Sequence, residues 1–120
     1  MFGLKNTLIR ETIKRLQDPE NWNPDGSYKH GKKCIVTACF DAAVDRSTHS
    51  GCNHRPALRV IRETITNQYG DSRKSRWRED GVIIGFNDHP LTTHADVMAV
   101  LHRAERRTRP FWRGPMEASA

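Results

Sequence analysis

A chain of 120 residues has room for one domain with a modest core and not for two. Only 36% of its residues are apolar and the mean hydropathy is −0.76, but the apolar residues fall in periodic clusters, which argues against disorder in the middle of the chain. The net charge of +6 and pI near 9.7 point to nucleic acid, acidic proteins or anionic lipid as partners, and no apolar run approaches the ~20 residues of a membrane span.

Met1 to Asn6 leads directly into charged residues and lacks the apolar core of a signal peptide. Three cysteines are an odd number for a disulfide framework. The expected setting is the cytoplasm, with reduced thiols and no membrane contact.

Residues 3 to 17 read as a first helix, with Leu4, Leu8, Ile9, Ile13 and Leu16 at helical spacing. That apolar face suits either internal packing or a second copy of the chain. Asp18-Pro19 ends the helix, because the residue before proline is pushed out of the helical region. Asn21 to Lys33 is loop, with Asn23-Pro24-Asp25-Gly26 as a turn and with Trp22 and Tyr28 expected to pin it to the core.

Residues 33 to 45 form a second helix carrying a stripe of small side chains: Cys34, Ile35, Ala38, Cys39, Ala42 and Ala43. Small residues allow close approach, so this helix is expected at the centre of the bundle. A polar loop from Asp45 leads to Pro56 in the first turn of a third helix, which carries Leu58, Ile61, Ile65 and Tyr69 on one face and stops at Gly70. Asp71 to Asp80 is a polar, basic loop. In the run that follows, Val82, Ile83, Ile84 and Phe86 are expected to be buried. With no second strand to pair with, this run is an extended segment or a helical turn. Asn87-Asp88-His89-Pro90 is turn chemistry. Thr93 then caps a last helix, with Asp96 completing a variant capping box and with Val97, Val100, Leu101 and Ala104 on one face. From Arg109 onward the chain reads as a tail, its first part tethered by Phe111 and Trp112.

The expected architecture is therefore mainly α: a single-domain bundle of about four helices with one short extended apolar segment over residues 1–108, and a C-terminal tail over 109–120.

Three features together carry a family resemblance. They are a tryptophan loop before Cys34-Ile35-x-x-Ala38, a buried run ending in Phe86-Asn87-Asp88, and Thr92/Thr93 followed by Asp96-Val97-x-x-Val100-Leu101-x-x-Ala104. The pattern resembles a family of small uncharacterised proteins of bacteria and their phages. Members tend to carry a Cys-Leu-x-Gly-Ala-type helix and a C-terminal Trp-Asn-Asp followed by Arg-Thr. Here Phe86 stands where tryptophan is usual and Thr37 where glycine would be. The resemblance implies an accessory protein of phage or mobile-element type and no known activity.

Candidate chemistry is sparse. Cys34, Cys39, His49, Cys52 and His54 lie within 21 residues and are of zinc-ligand type. Cys34 and Cys39, five apart on a helix, are rotated by about 140° from each other and do not face one metal. Cys52 beside His49 and His54 lacks an orienting third residue and an oxyanion motif for nucleophilic catalysis. Asp88 and His89 could form an acid–base pair, but turn chemistry accounts for them. Gly81 and Gly85 lack the lysine and the strand–helix context of a phosphate loop. No catalytic residue, metal ligand or cofactor is assigned. Asn87 and Asp88 are the preferred polar motif, because a buried run holds them in place.

The basic residues form two groups. Arg73, Lys74, Arg76 and Arg78 surround Trp77; Arg103, Arg106, Arg107, Arg109 and Arg113 accompany Trp112. The leading expectation is a non-enzymatic interaction or regulatory module whose arginines bind an acidic surface of a host protein. Nucleic-acid binding by the same arginines and tryptophans is the alternative, and a small metal-dependent protein or enzyme built on the Cys/His loop is a third reading.

Overall fold

The computed structural model describes residues 3–25, 30–46, 53–70 and 79–116. Five α-helices are found among them: α1 (Leu4–Leu16), α2 (Ile35–Arg46), α3 (Arg55–Tyr69), α4 (Glu79–Asp88) and α5 (His94–Thr108), with a 3₁₀ turn at Pro19–Asn21 after α1. The radius of gyration is 13.5 Å, close to the ~13.6 Å of one compact domain of this length.

The helix ends follow local chemistry. Asp18 is extended and its carboxylate accepts from the Glu20 N–H at 3.0 Å, which stops α1. Gly70, at φ +68, closes α3 by donating its N–H to the Thr66 carbonyl at 2.8 Å. Thr93 and Asp96 form a complete capping box on α5, with reciprocal bonds of 3.0 and 3.1 Å.

The expected extended segment is a helix. Residues 79–88 form α4, which satisfies its own backbone groups without a partner strand. Helical geometry also corrects one burial expectation. Val82, Ile83 and Phe86 share a face and are buried, whereas Ile84 is rotated outward and is 40% exposed.

The helices close into a ring. α1 packs on α2 and α5, α5 on α3, α3 on α4, and α4 returns to α2. α1 and α5 run antiparallel, since Asn6 lies beside Glu105 and the Leu16 carbonyl lies 2.6 Å from His94 Nε2. The small-residue helix is therefore one member of the ring and not its hub. Its buried Ala38, Cys39, Ala42 and Ala43 let α1, its main neighbour, approach closely. Leu8, Ile13, Ile61, Phe86, Val100 and Leu101 supply much of the shared core, all fully buried.

Among the described residues the only β feature is a bridge between Trp22 and Lys33. It is held by Asn23 N–H to Lys33 O at 3.0 Å and Lys33 N–H to Asn21 O at 2.9 Å. Trp22 is buried, as expected; Tyr28 lies outside the described residues.

Candidate functional site

Asn87 ends α4 facing inward. Its Oδ1 accepts from Trp22 Nε1 at 2.9 Å and from the Ile35 N–H at 3.2 Å, while its Nδ2 donates to Asn23 O at 2.8 Å and to Asp88 Oδ1 at 2.9 Å. Both lone pairs and both protons of the amide are thereby committed, in a fully buried position. Asn87 joins the end of α4, the start of α2 and the tryptophan loop, with Asp88 as a half-buried acceptor. The motif singled out in the sequence has a clear role here, which is architectural.

The Cys/His residues do not converge. Cys39 is buried in the core, whereas Cys34 sits at the start of α2, where its Sγ accepts from the Thr37 N–H at 3.5 Å. His54 packs edge-on against Phe40, with ring centroids 5.4 Å apart. His49 and Cys52 lie outside the described residues. Among the described residues no group of three His, Cys, Asp or Glu side chains could hold a metal ion.

The arginines divide by task. Arg73, Lys74, Arg76, Trp77 and Arg78 lie outside the described residues. Arg107 clamps α5 to α3: it donates to Thr64 Oγ1 at 2.8 Å and to Val60 O at 3.3 Å, and pairs with Glu63 at 3.2 Å. Arg103 and Arg106 face solvent on the side of α5 opposite its buried stripe, and neither forms an ion pair among the described residues. His102 lies beside them, half-buried; burial first, then the Arg106 charge, holds its imidazole below the ordinary value, with Glu105 pulling the other way.

Glu105 is the residue that sequence reasoning missed. It is 1% exposed and accepts at Oε2 from Asn6 Nδ2 at 2.8 Å, Arg10 Nε at 3.2 Å and Arg109 Nε at 3.1 Å. Burial pushes its carboxyl upward, but bonds from Arg109, Asn6 and Arg10 prevail and hold it at about 2. Two signals for it were present in the letters. Glu105 stands four residues after Leu101, on the buried stripe, and it is the sole acid between Asp96 and Glu117.

The first part of the tail is tied to this carboxylate. Beyond Arg109, the Arg113 guanidinium donates to Asn6 Oδ1 at 3.2 Å and Thr7 Oγ1 at 3.1 Å, and Arg10 donates to the Gly114 carbonyl. The Arg113 N–H also bonds Pro110 O at 3.0 Å, closing a turn with Phe111 and Trp112 as its central residues. Trp112 leans on Gly3 and is 55% exposed; Phe111 is 100% exposed. Arginines fasten the tail more than aromatics do, and Phe111 fastens nothing.

A cavity of about 330 Å³ opens where α1 and α3 begin and α5 ends, lined by Gly3, Leu4, Lys5, Asn6, Asn53, Pro56 and Thr108. It is at the small end of ligand-site volumes. Its buried polar side chain, Asn6, is already bonded to Glu105.

No curated protein and no solved structure matches the sequence. A family model does match, over residues 5–107, and it spans the Asn87 junction, the Asn6–Glu105 pair and all five helices but for the first and last residues of the bundle; the chain belongs to DUF6197, a family of unknown function.

Proposed function

We propose that the chain is a small, basic, non-enzymatic binding protein whose partner is single-stranded nucleic acid. The observation that carries this reading is Phe111, wholly in water beside the half-exposed Trp112, within a group of arginines. Magnitudes favour it over an acidic protein surface. Exposed ion pairs contribute ~0–1 kcal/mol each, so the outward Arg103 and Arg106 alone would hold carboxylates weakly. Stacking on an aromatic ring contributes ~1–3 kcal/mol per base, and neutralised phosphates release counterions as well. The test is fluorescence anisotropy with a labelled single-stranded oligonucleotide across a salt series. About four phosphate contacts give a log–log slope near −3. Absence of binding at 50 mM salt would discard the reading.

A second reading is a phage- or mobile-element-borne regulator that docks on an acidic surface of a host protein. Arg103 and Arg106 support it, since two exposed guanidinium groups on one helix face suit carboxylates as well as phosphates.

A further inference from the structure

We infer that the Pro110–Arg113 turn is a rigid platform on which unpaired bases stack, with Phe111 and Trp112 as its two rings. This inference rests on the nucleic-acid reading above and gives it an address on the molecule.

Rigidity is the first support. A stacking ring on a loose tail would lose its freedom on binding, and affinity with it. Here both flanks of the turn are fastened to α1 and α5. Arg109 is held by Glu105, and Arg113 by Asn6 and Thr7, and the turn closes on itself through Arg113 N–H and Pro110 O. The chain just beyond it is held by Arg10 at Gly114. The backbone that carries the two rings is thus held in place, with the Phe111 ring wholly exposed and the Trp112 ring about half exposed.

Charge is the second support. Arg10 and Arg109 share a single carboxylate, that of Glu105, and Arg113 bonds only the neutral Asn6 and Thr7, so the three guanidinium groups around the turn leave two positive charges in excess. The Arg113 guanidinium lies 5.2 Å from the centroid of the Trp112 ring, so cation and π face are offered together. Arg106 and Lys5 are exposed on the two helices to which the turn is fastened, α5 and α1. A base has a π face and a phosphate at one nucleotide's reach, which answers both features at once.

The backbone is adapted to this packing. Gly3 sits at φ +86, and a Cβ there would lie 3.3 Å from the Trp112 ring. The far edge of the Trp112 ring, at Cζ2 and Cη2, can therefore rest on the start of α1.

The experiment measures binding of fluorescein-labelled dT12 and rU12, with a 12-base-pair duplex as comparator, to the full chain and to Phe111→Ala, Trp112→Ala and Arg106→Ala. Phe111 touches nothing in the fold, so its replacement leaves folding intact, which circular dichroism checks. Phe111→Ala should weaken dT12 and rU12 binding roughly 5- to 100-fold without changing the salt slope, the signature of a lost stack and not of a lost phosphate contact. Arg106→Ala should lower the slope by about 0.7. If the single strands bind and Phe111→Ala binds as tightly as the parent, the platform is overturned while the nucleic-acid reading stands. If no oligonucleotide binds, both fall. Equal binding of duplex and single strand, indifferent to Phe111 and Trp112, would also overturn the platform.

Discussion

Asn6 donates its side-chain amide to Glu105 at 2.8 Å across 99 residues of sequence, and both side chains are sealed from water. The same Nδ2 also reaches the Glu105 backbone carbonyl at 2.9 Å. This pair is the point where the first helix, the last helix and the tail are joined, and it ties part of the fold's acid stability to the Glu105 carboxylate.

The Glu105 carboxyl is held at about 2 in the folded protein against 4.5 ordinarily. A depressed carboxylate contributes stability that is fully present above its unfolded value and is lost as pH falls from about 4.5 through about 2. With Arg10 and Arg109 partly open to solvent, the contribution is on the order of 2 kcal/mol. Glu105→Gln should be less stable at pH 7 by about that amount and should show a flatter loss of stability between pH 5 and pH 2. Urea denaturation at several pH values measures both. Parallel acid limbs in the two proteins would contradict the assignment.

Asn87→Ala removes four hydrogen bonds, among them those that the Trp22 indole N–H and the Ile35 N–H donate. A loss of about 3 kcal/mol is expected in urea, since each buried unsatisfied group costs ~1–3 kcal/mol and some relaxation is available. Trp22 fluorescence should shift to the red as its loop loosens.

Gly3→Ala meets two obstacles, a left-handed backbone and the Trp112 ring. The expected loss is about 1–2 kcal/mol. The more telling readout is increased iodide quenching of tryptophan fluorescence as Trp112 is displaced, with oligonucleotide affinity falling in parallel.

Ala38 is fully buried on the α2 face whose main neighbour is α1. Ala38→Leu inserts three carbons where the two helices approach closely, and overpacking of this kind costs ~1–3 kcal/mol. Denaturation midpoints check it. The same change at Ala99, exposed on α5, should be nearly neutral.

Much of the architecture was legible because it is local. Pro19 after Asp18, Pro56 in a first turn, Gly70 at a C-terminus and Thr93 with Asp96 mark helix ends through groups a few residues apart. The buried stripes of α1, α2, α3 and α5 were readable for the same reason, since helical period and apolar spacing are properties of short windows. The Val82–Phe86 run was not settled in this way. An apolar run of four or five residues suits a strand or a helix equally, and only the fit of Val82, Ile83 and Phe86 against α2 and α3 makes it a helix and leaves Ile84 outside.

The candidate site divides along the same line. That arginines surround Trp112 is written in the letters. Which of them remain available is not, because a cation's partner is chosen across space: Arg107 meets Glu63 at a separation of 44 residues, Arg10 meets Glu105 at 95, and Arg113 meets Asn6 at 107. The sequence by itself determined the four helices other than α4, most of their ends and their apolar faces, which neighbouring residues dictate through backbone sterics and periodicity. The tertiary structure alone decided that Glu105 is buried, that Asn87 is a fastening, that Arg109 and Arg113 are tied down, and that Phe111 is left in the water, because each of these depends on what the chain brings alongside from its other end.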